Sequence, residues 1–204
     1  MQQILRNDWQ PGEELSETDL ARASECSIAS VREFLIGFQH FHLIEKRAKG
    51  GWRMLGFHAG FANEVADMRW LIESNAIERL PDPPDPSWHI HVIDLLDRHR
   101  TMQADMQHRY LDFPALDREF HLWIAGHLQN RFANDFFDIV SLVFHYHYQW
   151  SRIDERERNC IAVQEHIGVL QALSEPNFDL AKHRLREHLN TSRQSLMRSL
   201  QSKG

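Results

Sequence analysis

From Ala59 almost to the end of the chain, apolar residues recur at intervals of three and four, and no strand-like alternation or internal repeat interrupts them. The one hard break is PDPPDPS, where the prolines forbid a helix from continuing. Stripes of this kind are buried by packing helix on helix. The pattern predicts six helices starting near Ala59, Ser87, Asp112, Asn130, Ile153 and Asn177, several of them opening on Asp, Asn or Ser caps. The expected fold class is mainly α, with a C-terminal all-helical bundle over residues 57–204.

The preceding segment has another character. Ser16 stands before ETDLARA as an N-cap, with Asp19 as the acidic residue at N3. A second helix opens at Ser27 and runs SIASVREFLIGFQHF, its apolar stripe formed by Val31, Leu35 and Phe38. LIEKRAKGGWRML then reads as two short strands joined by a tight turn at Gly50-Gly51. Helix, helix and hairpin in that order outline a winged helix-turn-helix over residues 1–56. Ser27, Ala29, Ser30 and Arg32 lie at the end of the second helix where a recognition helix meets bases. The same pattern also suits a small helical domain packed on something else.

Composition narrows the class. With 42% hydrophobic and 25% charged residues in 204, the chain can bury a core, and two domains fit its length. No apolar run approaches the roughly 20 residues that cross a bilayer, and MQQILRNDWQPGEE lacks the order of a signal peptide, so a cytoplasmic chain is expected. Cys26 and Cys160 form no CxxC pattern and suggest no disulfide framework. A net charge of -6 argues against a protein that coats nucleic acid non-specifically, though not against a site-specific dimer.

Fourteen histidines are a pointed excess, and their positions decide whether it matters. In LDREFHLWIAGHL, Asp117 and His121 stand four residues apart on one helical face, a geometry that can chelate a metal. His166 shares a face with Val163, Ile167 and Leu170, and His188 with Ala181, Leu185, Ser192 and Leu196. His183 falls with Glu187, Asn190 and Gln194 on the polar side. An isolated inward histidine is commonly a hydrogen-bonded core residue. Three such faces and a DxxxH pair together favour a site of one carboxylate and three imidazoles, suited to Zn, Ni, Mn or Fe.

Arg69 lies on the apolar side of its helix with Val65, Ile72 and Ala76, and a buried guanidinium needs an anion. A ligand carboxylate or Glu73, one turn on, would serve equally. His145, Tyr146 and His147 read as a packed aromatic seam, with lining of a ligand cavity as the alternative. A metal-dependent hydrolase would need a general base near the metal-bound water. HExxH is absent, and Glu119, Glu165 and Glu187 project to other faces than their neighbouring ligands, so no enzyme is expected. A metal-stabilised interaction protein is the other alternative.

These motifs together resemble the GntR family of transcription regulators, in the FadR-type subgroup whose effector domain is called FCD. The resemblance runs through PGEELSETDLA, SIASVREFL and HLIEKRAKGGWRML, then MRWLIE, LDREFHLWIAGHLQN, QEHIGVLQAL and AKHRLREHL. It implies metal ligation by Asp117, His121, His166 and His188, and a small organic acid bound to the metal with help from Arg69. It further implies a homodimer on operator DNA, its affinity set by the effector. Where the family commonly begins its recognition helix Ser-Arg-Thr-Pro-Val-Arg, this chain has Ser27-Ile28-Ala29-Ser30-Val31-Arg32, so the first arginine is missing. Arg32 keeps the second, and Lys46, Arg47, Lys49 and Arg53 near the wing are placed to grip phosphates. Members carry about four helical turns before PGxxL, here preceded only by QQILRND; either the chain as given is cut short or this domain is impaired. Seven Lys and Arg against eight Asp and Glu to Gly56 mean that DNA affinity must come from a localised stripe.

Overall fold

In the computed structural model, residues 11–56, 59–80, 86–137, 140 and 155–201 are described. The chain divides into two compact units, Met1–His58 and Ala59–Gly204.

The first unit runs β1 (Glu14–Leu15), α1 (Glu17–Ala23), α2 (Ile28–His40), β2 (Ile44–Lys46) and β3 (Trp52–Met54). Both helices start where the sequence offers a cap. The Ser16 hydroxyl accepts from the Asp19 amide at 3.3 Å and the Ser27 hydroxyl from the Ser30 amide at 3.0 Å, each satisfying a donor that the first turn leaves open. Val31, Leu35 and Phe38 are buried, as their spacing predicts, and close a core with Leu20, Phe34, Leu43, Ile44, Trp52 and Met54.

The hairpin pairs Ile44 with Met54 and Lys46 with Trp52. Its connection is broader than a two-residue turn: the Arg47 amide donates to the Gly51 carbonyl, and Gly50 and Gly51 take φ of 92° and 76°, values that favour glycine. β1, which the sequence pattern did not announce, pairs antiparallel with β3 and makes that strand the centre of a three-stranded sheet. The buried Trp52 indole donates to Glu17 Oε1 at 3.0 Å, and Arg32 donates to the other oxygen of Glu17 at 2.7 Å, tying α1, α2 and the wing together. This unit is a winged helix-turn-helix fold.

The second unit is all helical. Its elements are α3 (Ala59–Glu78), α4 (Pro86–Ala104), α5 (Met106–Arg109), α6 (Phe113–Gly126), a helical stretch over residues 131–137, α7 (Glu155–Ser174) and α8 (Phe178–Gln201). Five of the six expected starts fall within a residue of the described ones; Ile153 lies outside the described residues, and α7 is described from Glu155. The short α5 was not anticipated. Asn130 and Asn177 cap their helices by accepting from the amides of Phe132 and Leu180.

α7 packs against both α4 and α8, α8 also against α3, and α6 against α3 and α7. Leu95, Phe120, Val163, Leu170, Leu173, Ala181 and Leu185 fill the space between them. None of the described helices is long and apolar enough to cross a membrane.

Candidate metal centre

Within this apolar interior lies a compact polar cluster. Asp117 and His121 come from successive turns of α6, His166 from the middle of α7 and His188 from the middle of α8. One donor atom from each lies within 4.8 Å of all the others. The three histidines are essentially fully buried. His166 Nε2 stands 3.2 Å from His188 Nε2, which stands 3.3 Å from His121 Nε2; Asp117 Oδ1 is 3.6 Å from His166 Nε2 and 3.8 Å from His121 Nε2.

Which ring nitrogen carries the proton follows from the partners on the far side of each ring. Arg69, which can only donate, gives an Nη2 hydrogen to His121 Nε2 at 2.6 Å, so His121 holds its proton on Nδ1 and donates it to Glu73 Oε2 at 2.7 Å. His188 donates from Nδ1 to Glu165 Oε2 at 2.8 Å. His166 is set through a relay. His99 donates from Nδ1 to the Leu95 carbonyl at 2.7 Å, which leaves its Nε2 as an acceptor for the Nδ1 hydrogen of His166 at 3.2 Å. All three ligand-side Nε2 atoms are therefore unprotonated and turned toward one another and Asp117, that of His121 accepting from Arg69.

Burial keeps the rings neutral. It is the first cause that lowers all four: His188 to about 3, His99 to about 4, and His121 and His166 well below the ordinary imidazole value. Among the added causes, the Arg69 charge lowers His121 and the neighbouring His188 lowers His166. Glu73 moves the other way, its carboxyl pushed up to about 7 by complete burial even though Arg69 opposes the shift. Phe120 stacks on His166, ring centroids 4.0 Å apart, and holds that imidazole in plane.

Three unprotonated imidazole nitrogens and a partly exposed carboxylate converge here, and among the described residues Arg69 is the donor that meets them, at His121 Nε2. Donors around an ion at about 2.1 Å lie roughly 3.0–3.4 Å apart, close to the separations found here. The residues fit a divalent cation. The far-side partners Glu73, Glu165 and His99 are the outer layer that such ligands require.

Of these, the sequence-based reading treated Glu73 only as an ion-pair partner of Arg69. That pair exists, Arg69 Nε to Glu73 Oε1 at 3.2 Å with both side chains buried, but Glu73 also orients His121. Glu165 does leave its helix on another face than His166; what the pattern of one helix hid is that this face meets His188 of α8. His99 was missed, although Val92, Leu95, Leu96 and Met102 surround it at the same spacing that marked His166. His183 is exposed beside Glu187, and Glu119 is bound to Arg98 at 2.5 Å. His145, Tyr146 and His147 lie outside the described residues.

In the first unit, Ser27 and Ser30 are bonded to each other at the N-terminus of α2. Arg32 is held by Glu17, Arg47 by Glu14, and Arg53 by Glu45 at 2.5 Å. Lys46 lies over the Trp52 ring, 5.6 Å from its centroid, and Lys49 is exposed in the connection between β2 and β3.

A winged helix-turn-helix followed by an all-helical unit is an architecture shared with known regulators. The family model of the FCD domain matches residues 64–191, a span containing all four cluster residues and Arg69, and the chain belongs to that family. It is 36% identical to LgoR of Escherichia coli, described as an HTH-type transcriptional regulator, over 97% of this chain, and spans 65% of that relative's length. An HTH-type transcriptional regulator of Bacillus subtilis, YdhC, is 20% identical over 92% of this chain and 83% of its own length. Among solved structures, Escherichia coli McbR/YncC superposes with a TM-score of 0.72 at 17% identity, covering 99% of this chain and 93% of its own. A transcriptional regulator GntR from Rhodococcus sp. RHA1 gives 0.65 at 19%, covering 96% and 92%. The fold is that of the GntR regulators.

Proposed function

We propose that this chain is a ligand-responsive transcription regulator of the cytoplasm: a dimer binds operator DNA through the winged helix-turn-helix, and the helical unit senses a small organic acid at a divalent metal. The convergence of three unprotonated Nε2 atoms and one carboxylate oxygen, each ring fixed by a partner behind it, carries the sensor half. Asp117, His121, His166 and His188 hold the ion, which is Zn, Ni, Mn or Fe by ligand type. When bound, the ion supplies open coordination positions to a carboxylate oxygen.

The remaining work falls to the chain's own groups. Glu73, Glu165 and His99 keep each ligand in its binding tautomer. Arg69, already at the edge of the cluster, is the cation that meets the acid. Phe120 and the surrounding apolar residues exclude water, which strengthens every charge interaction inside. A carboxylate that prefers one arrangement of α6, α7 and α8 shifts the population toward it and so alters operator affinity. On the DNA side, Ser27, Ser30 and Arg32 face bases, while Lys46, Arg47, Lys49 and Arg53 take phosphates.

Hydrolysis is disfavoured by the commitments of the nearest carboxylates. Glu73 and Glu165 both accept imidazole N–H groups and have no freedom to act as a base.

Two measurements test the proposal. Elemental analysis of tag-free protein purified without chelators should give one divalent ion per chain, and its absence would count against the sensor. A gel shift on genomic fragments should show salt-dependent binding that an organic acid modulates. No binding to any fragment at low salt would refute the regulator.

A further inference from the structure

Arg158 stands two turns before Glu165 on α7 and is nine-tenths buried. Its Nε and Nη1 are buried without a hydrogen-bond partner among the described residues, and the nearest carboxylate oxygen, Glu165 Oε2, is 3.8 Å from Nη1. That oxygen is already engaged by His188 Nδ1. Such an arrangement is unusual: a permanently charged group with five N–H donors and no acceptor capacity is rarely left unmet in an interior, and an unmet case calls for an explanation.

Glu165 Oε2, 3.8 Å from Arg158 Nη1, accepts from Nδ1 of the cluster residue His188, so the guanidinium stands one side chain removed from the cluster. It is a second guanidinium near the site, carried by α7 and beside Glu165, whereas Arg69 comes from α3 and meets His121 itself. Arg69 is engaged by Glu73 and His121; among the described residues Arg158 has only the distant edge of a shared carboxylate.

Formal charges point the same way. Asp117 and Glu165 contribute two negative charges, and Glu73 a third where its raised carboxyl is ionised, against two from Arg69 and Arg158, so with either state a divalent ion leaves the group with net positive charge that an anion would balance. The groups left unsatisfied can only donate, and only an oxygen acceptor suits them.

We propose that Arg158 is the second anchor of the effector pocket, gripping an anionic group at the far end of an acid whose first carboxylate sits at the metal, so that the pocket selects dicarboxylates over monocarboxylates. This rests on the carboxylate-sensing function proposed above.

The test uses the full chain loaded with Zn²⁺ and isothermal titration with matched acids: malonate, succinate and glutarate against propionate, butyrate and valerate. At least one dicarboxylate should bind about tenfold or more tightly than its monocarboxylate of equal carbon number, since a charge-assisted bond to a buried guanidinium is among the stronger polar contacts. Arg158→Gln should reduce that preference to under about threefold, dicarboxylates losing more affinity than monocarboxylates, while zinc content is retained. Arg158→Lys, which keeps the charge but loses the planar fork, should fall between them.

Equal affinity for both acid classes in the wild-type chain would overturn the proposal, as would a preference that survives Arg158→Gln. Loss of zinc in both Arg158 variants would also overturn it, making Arg158 a support for Glu165 instead. If the zinc-loaded wild-type chain binds none of the six acids, the carboxylate-sensing function itself fails.

Discussion

Replacing His99 by Leu tests whether the proton positions around the cluster matter, because His99 is not itself a ligand. In the wild-type chain its Nε2 accepts the Nδ1 hydrogen of His166. Without that acceptor, metal-free His166 can move its proton to Nε2 and donate to His188 Nε2, 3.2 Å away, so it loses little. The metal-bound form has no such escape. Its Nε2 must stay bare, leaving the Nδ1 hydrogen unmet in a fully buried ring, a cost of about 1–3 kcal/mol. The whole cost falls on the bound state and weakens metal affinity by roughly 5- to 150-fold, in line with the 10- to 100-fold typical of outer-layer partners. His99→Gln, whose amide oxygen can accept, should recover most of it. Competition against a calibrated zinc chelator measures the affinity, and calorimetry with and without zinc separates metal binding from intrinsic stability. A His99→Leu chain that binds zinc within twofold of wild type would refute the tautomer relay.

Removing a ligand is the blunter experiment: His188→Ala should abolish the zinc-dependent rise in melting temperature, which at a hundredfold excess over Kd is worth about 2.7 kcal/mol, or roughly 5–10 °C for a chain of this size. Acid should unfold the metal-free chain early. An imidazole held below 6.5 when folded gives stability that is full above about pH 6.5 and lost as the pH falls toward 3–4, at up to about 1.4 kcal/mol per ring and pH unit. Glu73, raised to about 7, works in the opposite sense between about 4.5 and 7, so four rings against one carboxyl still leave a net loss; a urea midpoint that stays flat from pH 7 to 5 would contradict this. Arg69→Ala should lower affinity for an organic acid while metal content, measured by elemental analysis, stays intact. Unchanged affinity would assign Arg69 to its structural bonds with Glu73 and His121.

The inward histidines were legible because the periodicity of a helix shows which residues share a face, and His121, His166 and His188 share theirs with the core. His99 obeyed the same rule and was passed over. The roles of Glu73 and Glu165 were not legible from one helix at a time, since each acts across a helix–helix contact 48 or 23 residues away in sequence. Cap residues announced four helix starts, at Ser16, Ser27, Asn130 and Asn177, because the unmet amides of a first turn are a local requirement; Asp112 precedes its helix without a side-chain cap bond, and Ser87 lies within a helix that opens on Pro86. β1 gave no such signal. Two residues are too few for alternation to show, and what defines the strand is its pairing with β3.

The pair between Arg32 and Glu17 bears on how strongly ionic strength can govern DNA binding. Glu17 already neutralises that guanidinium, and the pairing lowers the carboxyl pKa. A phosphate that took the place of Glu17 would exchange one fixed anion for another, and the displaced carboxylate would need its own neutralisation. The DNA would still shed its condensed cations at that phosphate, but part of the gain would be spent on Glu17. Arg47 with Glu14 and Arg53 with Glu45 stand in the same position. The slope of log affinity against log salt should therefore fall short of the roughly 0.9 per contact expected of free cations, and this surface would act as an ion exchanger as much as a magnet.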